Sequence, residues 1–260
     1  MRIYSNAYQL MSEMGRDLWE MGHENRPKTY QNKVIEGNPD FITKELLCEQ
    51  YCLTKMPDPE WLFIYTNTHK WADAEFAERI SKESINPGEA YKLNHKMWDE
   101  FLVNGKFDYT YSERFSDITS YKDRLVTRLE AVIALLKDDN DTRKAVLPIF
   151  GYCSADCHDD CDFYDGSARI PCSMYYDLLI RLNAKGEKQL NLVYHQRSSD
   201  FVGHFGDDVY LAWRMMEYIA EHVGVKPGYL YHVIDSLHCY QRDWHFLKTC
   251  IDDIAEEQQL

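Results

Sequence analysis

The residues that could carry chemistry lie in three short segments in the second half of the chain. Cys172 follows a proline at the start of an apolar run, and residues 196–200 form the polar segment Gln-Arg-Ser-Ser-Asp. A cysteine thiolate can form a covalent intermediate, and an arginine such as Arg197 can hold a phosphate through charge-assisted hydrogen bonds. Asp208 can exchange a proton. A cysteine taken alone is more often a small buried hydrophobic residue, so the surrounding pattern decides its interpretation.

Helical and strand-like patterns alternate along the chain and must position these residues. Three segments have apolar residues at helical spacing and are predicted helices: 4–21, 117–137 and 209–223. Four apolar runs are predicted strands: 145–150, 172–182, 189–196 and 229–240. Asp117 is a candidate N-cap, Gly224 ends the third helix, and Pro148 places the first strand near a sheet edge or bulge. The predicted class is α+β, with one mixed sheet covered by helices.

Length and composition predict a single domain, 1–260. The hydrophobic fraction of 45% and the aromatic fraction of 14% are enough to enclose one large core. A formal net charge of −14 argues against nucleic acid as a partner, because most of the surface would repel a polyanion. No apolar run reaches the roughly 18 residues of a membrane span, and the N-terminus lacks the apolar core of a secretion signal. We therefore expect no membrane partner and a cytoplasmic location, in the host cytoplasm if the protein is phage-encoded.

The eight cysteines raise the question of disulfides or a metal site. Nothing marks the chain as secreted, so we interpret the cysteines as thiols. Cys153, Cys157, His158 and Cys161 are candidate zinc ligands. They lie within nine residues, whereas closed zinc sites usually take ligand pairs from separate segments. A polar surface loop between two strands is the alternative, and we expect no metal among the cofactors.

Four short motifs give the chain a family resemblance. They are similar in order and approximate spacing to motifs of thymidylate synthases: Pro171-Cys172, Gln196-Arg197-Ser198-x-Asp200, Lys226-Pro227-Gly228 and His238-x-Tyr240. Within that superfamily the chain most resembles the bacteriophage deoxycytidylate hydroxymethylases. Those enzymes share an Arg-Ser-x-Asp segment leading to an aspartate and a Ser-Leu-His-x-Tyr segment, which is 236–240 here. The resemblance covers residues 70–245 well and the preceding residues weakly.

This resemblance implies a fold, an assembly and a reaction. The fold would be a single thymidylate synthase-like catalytic domain, with a mixed sheet covered by helices, and the assembly would be a homodimer. The substrate would be a pyrimidine nucleoside monophosphate, and the co-substrate would be 5,10-methylenetetrahydrofolate. Cys172 would add to C6 of the base, because a pyrimidine is too weak a nucleophile at C5 to react unaided. A nearby Arg197 would favour the thiolate.

The resemblance also implies the other catalytic residues. Asp208 lies where a uracil-specific synthase has an asparagine. A carboxyl group can accept a hydrogen bond from the N4 amino group of cytosine and exchange a proton with N3, so Asp208 predicts a cytosine preference. The neighbouring Asp207 could equally be the acid at this helix start. Glu75, on a helix ahead of a tryptophan, would manage protons and water, with Glu78 as the alternative, and Tyr111 matches the family's active-site tyrosine.

Five residues are predicted to hold the phosphate. The resemblance implies Arg197 and Ser198 in the same subunit, and Arg143 and Lys144 reaching across from the neighbouring one. Lys144 replaces the second arginine of the family's pair, which leaves its contact open. Arg26 resembles the mobile phosphate-binding loop. Solvated surface cations are the alternative for Arg26, Arg143 and Lys144.

Four further residues are predicted to bind the sugar and the folate. His238 and Tyr240 alternate on one strand, so both side chains lie on one face and can reach the sugar hydroxyl. A packed core pair is the alternative. By the resemblance, Trp98 lines the folate site and Asp200 binds the pterin, with an ordinary buried tryptophan as the alternative for Trp98.

The expected activity is hydroxymethyl transfer from 5,10-methylenetetrahydrofolate to dCMP, giving 5-hydroxymethyl-dCMP. A methyltransferase acting on dCMP or dUMP, or a CMP hydroxymethylase, is the nearest alternative. Residues 256–260 lack the apolar tail with which thymidylate synthases close over their ligands, which favours addition of water over hydride. An inactive nucleotide-binding protein is the alternative outside enzymes.

Overall fold

The computed structural model describes residues 1–30, 33–151, 162 and 169–248. The candidate zinc ligands at 153–161 lie outside the described residues, so that hypothesis stays a prediction. The described helices are α1 (Ala7–Met21), α2 (Pro59–Leu62), α3 (His69–Arg79), α4 (Glu89–Leu93), α5 (His95–Trp98), α6 (Tyr111–Ser116), α7 (Arg128–Asp138) and α8 (Phe205–Val223). None of them is long and apolar enough to cross a membrane.

The strands form one large sheet and two small ones. The strands are β1 (Arg2–Tyr4), β2 (His23–Asn25), β3 (Thr29–Tyr30), β4 (Lys33–Val34), β5 (Thr43–Leu53), β6 (Ile118–Tyr121), β7 (Arg124–Thr127), β8 (Val146–Pro148), β9 (Ser173–Leu182), β10 (Lys188–Gln196), β11 (Ser199–Asp200) and β12 (Lys226–Tyr240). The large sheet has the order β1-β5-β12-β10-β9-β8, with β11 also paired to β12 and β2 to β5. Strands β3 and β4 form one two-stranded sheet, and β6 and β7 form the other.

The large sheet is mixed, as the sequence predicted. Strand β10 runs parallel to β12 and antiparallel to β9. The end of β10, the end of β12 and the start of β9 therefore meet at one edge of the sheet. Cys172 immediately precedes β9 and Arg197 immediately follows β10, so this connectivity brings the two residues together.

Helix α8 packs over the centre of the sheet because one of its faces is strongly apolar. Leu211, Met215 and Ile219 are buried against β10 and β12. The helix ends where Gly224 adopts a left-handed conformation with φ 82°, which glycine takes without strain. Its first turn carries Asp207 and Asp208 at the same edge of the sheet as Cys172. The helix predicted at 209–223 is confirmed, with its start four residues earlier.

Helix α1 covers the sheet beside β5, as predicted, but it is shorter than the predicted segment. It begins after Asn6, whose side chain accepts a hydrogen bond from the Gln9 amide at 2.7 Å. Tyr4 therefore belongs to β1, and its buried side chain reaches the core from a strand. The periodic residues Met11, Met14 and Leu18 are buried, which is why the helix itself was predictable.

The long helix predicted over 117–137 is wrong in its first half. Residues Ile118–Tyr121 and Arg124–Thr127 pair as a β-hairpin, and only Arg128–Asp138 is helical. Thr127 and Glu130 form a capping box that starts the helix at Arg128. The apolar residues that completed the helical pattern lie largely in solvent, with Ile118 57% and Leu125 80% exposed. The helical pattern in 117–127 therefore did not mark a buried face.

Candidate active site

A cleft of about 400 Å³ opens at the sheet edge where β9, β10 and β12 meet α8. Nine predicted site residues line it: Trp98, Tyr111, Cys172, Arg197, Ser198, Asp200, Asp208, His238 and Tyr240. A smaller adjoining cavity of about 90 Å³ is lined by Glu75 and shares the walls formed by Trp98 and Tyr111. The predicted phosphate residues Arg26, Arg143 and Lys144 line neither cavity.

Arg197 is fixed beside the Cys172 thiol by backbone carbonyl groups. Its Nε donates to the Pro171 carbonyl at 2.9 Å, and its Nη2 donates to the Ile170 carbonyl at 3.0 Å. The same Nη2 lies 3.9 Å from Sγ of Cys172. The backbone amide of Arg197 also donates to the Cys172 carbonyl at 2.9 Å. The guanidinium is therefore held next to the thiol before any ligand arrives.

The Cys172 thiol is not activated by its surroundings as strongly as the sequence implied. Burial raises its pKa, Arg197 opposes that effect, and Asp208 adds to it. The net result is a pKa above the usual value for a thiol. Arg197 favours the thiolate as predicted, but desolvation outweighs it, so the protein without a ligand holds mainly the protonated thiol at neutral pH.

Asp208 is held in the cleft by two donors on one of its oxygens. Gln196 Nε2 donates to Asp208 Oδ2 at 2.6 Å, and Ser199 Oγ donates to the same oxygen at 3.1 Å. Burial raises the pKa of Asp208 to about 6, against 3.8 for an ordinary aspartate. Gln196 and the charges of His204 and Arg79 oppose that rise. A carboxyl with this pKa can exchange a proton near neutral pH.

The neighbouring Asp207 is committed to structure. Thr68 Oγ1 donates to its Oδ1 at 2.8 Å, and His204 Nδ1 lies 3.7 Å from its Oδ2. Asp207 is only 3% exposed. Both acids line the cleft, but Oδ1 of Asp208 accepts no hydrogen bond from any described residue. The geometry therefore favours Asp208 as the acid that meets a ligand.

A further line of buried polar groups lies behind Asp208. His232 Nε2 lies 3.0 Å from Gln196 Oε1, and His232 Nδ1 lies 2.8 Å from the Tyr51 hydroxyl. Burial lowers the pKa of His232 to about 3, so its ring is neutral. Sequence reasoning quoted Gln196 without a role and missed Tyr51 and His232. Both residues lie within strands, and only the pairing of β5 with β12 brings them together.

Arg79 is a buried cation in the cleft that sequence reasoning also missed. Its Nε donates to Glu75 Oε1 at 2.9 Å, and its guanidinium carbon lies 3.9 Å from the ring centroid of Tyr111. The side chain of Arg79 is only 5% exposed. The spacing of Glu75 and Arg79 at i and i+4 on one helix was the available signal. Tyr111 is fixed at the other end, where its hydroxyl lies 3.2 Å from Ser173 Oγ.

Glu75 and Glu78 differ in what they contact. Glu78 Oε1 accepts a hydrogen bond from the Ala90 amide at 2.8 Å, in the first turn of α4. This places the Glu78 carboxylate in a structural role at the start of α4. Glu75 pairs with Arg79 inside the cavity. Both glutamates line the smaller cavity, and the geometry favours Glu75 as the acid available to a ligand because Glu78 is bound to the start of α4.

His238 and Tyr240 lie on one face of β12 and both line the cleft. Their ring centroids are 5.1 Å apart with an interplanar angle of 80°. Tyr240 also packs edge-on against Tyr30 and Phe41, which fixes its ring. The predicted placement of the pair on a shared strand face is therefore found in the structure.

Trp98 and Asp200 each bury a polar atom that has no hydrogen-bond partner among the described residues: Nε1 of Trp98 and Oδ1 of Asp200. The Trp98 ring stacks on Trp71, with centroids 6.2 Å apart. Two cationic side chains missed by sequence reasoning also contact Trp98. The guanidinium carbon of Arg169 lies 5.4 Å from the Trp98 ring centroid, and the centroid of the His204 ring lies 5.7 Å from it.

The two unpartnered atoms fit a flat heterocycle that carries donors and acceptors. An indole N–H can only donate, and a carboxylate oxygen can accept, so together they offer both types of contact. A buried polar group without a partner is costly, which makes a ligand contact at each of them favourable. Trp98 and Asp200 can therefore offer a ligand one donor and one acceptor, and their assignment to the pterin stays a prediction.

His204 carries a positive charge more readily than an ordinary histidine. Burial lowers the pKa of His204, but Asp207, Asp200 and Asp208 together outweigh burial and raise the pKa above its usual value. With Arg169, it gives this part of the cleft two cationic groups. This end of the cleft is polar as well as aromatic.

The three remaining phosphate candidates are exposed on the surface of the chain. Arg26 follows β2, and Arg143 and Lys144 lie in the turn between α7 and β8. Their assignment to phosphate stays a prediction. Within the described part of the chain, no group of three or more histidine, cysteine or acidic residues could hold a metal ion.

Comparisons with known proteins agree on one family. The family model for thymidylate synthase matches residues 79–258. A Methanosarcina mazei protein named "Putative thymidylate synthase" is 28% identical over 168 residues, which is 62% of this chain and 69% of that protein. The deoxyuridylate hydroxymethyltransferase of Bacillus phage SP01 is 29% identical over 157 residues, which is 58% of this chain and 38% of that protein.

The fold has a solved counterpart. Thermostable thymidylate synthase A from Bacillus subtilis superposes with a TM-score of 0.74. The match covers 95% of this chain and 84% of that chain at 17% sequence identity. The predicted fold, a mixed sheet covered by helices, is confirmed by this likeness.

Proposed function

The chain belongs to the thymidylate synthase family, and on that premise we propose that it is a pyrimidine nucleotide 5-hydroxymethyltransferase. Its substrates are dCMP and 5,10-methylenetetrahydrofolate, and its product is 5-hydroxymethyl-dCMP. The observation that carries this proposal is Asp208, a carboxyl group in the cleft whose pKa is about 6. Folates of this kind supply a one-carbon unit at the oxidation level of formaldehyde.

Asp208 suits cytosine because it can be both an acceptor and a donor at neutral pH. One oxygen accepts a hydrogen bond from the N4 amino group, and the protonated oxygen donates to N3. When a nucleophile adds to C6, negative charge develops towards N3, and transfer of the Asp208 proton neutralises it. The same residue therefore selects the base and lowers the barrier to addition.

Cys172 is the nucleophile that adds to C6. Its thiol is protonated in the free enzyme, and Arg197 at 3.9 Å stabilises the thiolate once the thiol proton has passed to water in the cleft. The Sγ–C6 bond forms and the ring electrons move towards N3, where Asp208 supplies the proton. This makes C5 nucleophilic towards the one-carbon unit. C5 forms a bond to the one-carbon unit, Glu75, paired with Arg79, accepts the C5 proton, and the bond from the one-carbon unit to the folate nitrogen breaks. Water then adds to the exocyclic methylene, and the Sγ–C6 bond breaks as the proton at N3 returns to Asp208.

The polarity of the cleft supports hydration rather than reduction of the one-carbon unit. Reduction by hydride requires that water be kept from the reacting carbon. Around Trp98 the cleft contains the cationic groups of Arg169 and His204 and the carboxylate of Asp200, all of which attract water. The phage relative named a deoxyuridylate hydroxymethyltransferase also supports a hydroxymethyl product.

That relative makes dUMP the alternative substrate. A protonated carboxyl group can pair with uracil by accepting from the N3 proton and donating to O4. The choice of base therefore depends on which oxygen of Asp208 carries the proton. A methyl product is the second alternative, supported by the names of the archaeal relatives.

A homodimer completes the phosphate site in this proposal. Arg197 and Ser198 line the cleft of their own chain, and Arg143 of the neighbouring chain adds a charge-assisted contact. One face of the large sheet supports the assembly, since Tyr231 and Val233 on β12 are only half-buried while their neighbours along the strand are fully buried. A second copy covering this face would bury it.

Tritium release from C5 of labelled dCMP tests the activity. We expect release that depends on 5,10-methylenetetrahydrofolate and disappears in Cys172→Ser. Cys239→Ser is the matched control, because Cys239 is fully buried in β12, outside the cleft lining, and should keep the activity of the wild type. Release at the wild-type rate in Cys172→Ser would rule out covalent activation by this residue.

A further inference from the structure

A continuous line of buried hydrogen bonds runs from the core to Asp208. The Tyr51 hydroxyl lies 2.8 Å from His232 Nδ1, and His232 Nε2 lies 3.0 Å from Gln196 Oε1. Gln196 Nε2 lies 2.6 Å from Asp208 Oδ2. Tyr51 and His232 are fully buried, and Gln196 is 1% exposed. Water cannot easily replace any of these contacts, so the protons along the line are set by the groups themselves.

Tyr51 determines which group donates and which accepts in each hydrogen bond of the line. Its hydroxyl has one proton to donate, and in the described part of the chain His232 Nδ1 is the partner that can accept it. Since the His232 ring is neutral, its single proton must then lie on Nε2, which donates to Gln196 Oε1. This orients the Gln196 amide so that its nitrogen, a donor, faces Asp208. Every bond in the line therefore points towards the carboxyl group.

The consequence at Asp208 is an asymmetry between its two oxygens. Oδ2 receives donors from Gln196 and from Ser199, whose hydroxyl is 3.1 Å away. A proton on Oδ2 would point at one of these donors and displace it. Oδ1 receives no hydrogen bond from the described residues. When Asp208 binds a proton, the proton is therefore on Oδ1, and Oδ2 remains an acceptor.

The two pyrimidines require opposite arrangements of this proton. Cytosine presents a donor at position 4 and an acceptor at N3, whereas uracil presents an acceptor at position 4 and a donor at N3. We propose that Tyr51, His232 and Gln196 are positioning residues that set the base specificity by keeping the Asp208 proton on Oδ1, opposite N3, and Oδ2 opposite the exocyclic group. This inference deepens the proposed function and rests on it for the identity of the favoured base.

Removal of the Tyr51 hydroxyl tests the proposal. In Tyr51→Phe the His232 ring can adopt its other tautomer, the Gln196 amide can turn its oxygen towards Asp208, and the proton can move to Oδ2. The ratio of the Kd values for dUMP and dCMP, measured by calorimetry, should then shift by about five- to tenfold, the effect of one buried hydrogen bond. The matched control is Tyr4→Phe, which removes the same atom from the ring packed edge-on against Tyr51, outside the line.

The outcomes separate this proposal from the proposed function. The cytosine preference is supported if the wild type binds dCMP more tightly than dUMP. The positioning role is supported if Tyr51→Phe narrows the ratio of the two Kd values and Tyr4→Phe leaves it unchanged. A folded Tyr51→Phe with the wild-type ratio overturns the positioning role and leaves the cytosine preference standing. A wild type that binds dUMP more tightly overturns the cytosine preference, and the positioning role then stands only if Tyr51→Phe narrows that ratio.

Ser199→Ala is the second variant, and it decides the matter if Tyr51→Phe does not fold. It removes the other donor to Oδ2 at the edge of the cleft and leaves Tyr51, His232 and Gln196 unchanged. The ratio of the Kd values for dUMP and dCMP should narrow, as in Tyr51→Phe. An unchanged ratio in a folded Ser199→Ala, together with equal weakening for both nucleotides, would show that Oδ2 does not control the base.

Discussion

Replacing Asp208 with asparagine should stabilise the folded protein while it impairs the enzyme. The pKa of Asp208 is about 6 in the folded protein and 3.8 for an unperturbed side chain. Burial of the ionised carboxylate is the cause, because the unfolded chain hydrates it. The folded protein therefore holds this proton more tightly than the unfolded chain. Asparagine carries no charge, and its oxygen can still accept from Gln196 and Ser199.

The sign and size of the effect follow from that difference. Below about pH 4 Asp208 is largely protonated in both the folded and the unfolded protein, so its burial carries no charge penalty. Above about pH 6 Asp208 is largely ionised in both, and the free-energy penalty of burying the charge is complete. A difference of one in pKa corresponds to about 1.4 kcal/mol, so the cost is at most about 3 kcal/mol, and partial solvent access reduces it. The gain in the free energy of unfolding for Asp208→Asn should thus grow from near zero at acid pH to about 2 to 3 kcal/mol at about pH 8.

Urea unfolding of the wild type and of Asp208→Asn across this pH range measures the gain. Asp207→Asn is the control, because the Asp207 carboxylate faces His204 and raises its pKa, so removing this charge should lower the stability of the protein. An Asp208→Asn variant that is no more stable than the wild type at about pH 8 would refute the reasoning. So would a gain of the same size at acid pH, because a buried charge cannot be its cause.

Three further predictions test other parts of the site. Glu75→Gln should abolish tritium release from C5, and it should also lower the free energy of unfolding because it leaves the buried Arg79 cation without its counter-ion. Glu78→Gln should lower the free energy of unfolding by about 1 to 3 kcal/mol through the lost contact with α4 but should keep tritium release; loss of release in Glu78→Gln with release kept in Glu75→Gln would exchange their roles. Arg197→Ala should slow alkylation of Cys172 by iodoacetamide at neutral pH, because it removes the cation that opposes the raised thiol pKa, and an unchanged rate would contradict this. Mixing Arg143→Ala and Cys172→Ala subunits should give mixed dimers that each have about half of the activity of a wild-type dimer, since one site carries both defects and the other neither, and no recovery despite subunit exchange would show that Arg143 does not act across the interface.

The sequence predicted those elements whose periodic pattern coincides with burial. Helix α8 was predictable because Leu211, Met215 and Ile219 recur at helical spacing and all face the sheet. The segment 117–127 failed for the opposite reason. Its apolar residues have helical spacing, but a hairpin leaves Leu125 in solvent, so the spacing carried no information about a core.

The site was predictable where it lies in compact motifs and was missed where tertiary contacts build it. Cys172 and Arg197 were found because each belongs to a short segment with a recognisable pattern, and the structure brings them within 3.9 Å. Tyr51 and His232 were missed because neither lies in such a segment and they are far apart in the sequence. Their roles arise from strand pairing and from burial, which no local pattern records.

The identity of the nucleotide product tests the central claim most directly. The protein would be incubated with equal amounts of dCMP and dUMP and with 5,10-methylenetetrahydrofolate. The masses of the nucleotide products would then be measured by mass spectrometry. The account predicts that dCMP gains the mass of one CH₂O unit while dUMP stays largely unchanged. A product heavier by only a CH₂ unit, or consumption of dUMP with dCMP untouched, would contradict it.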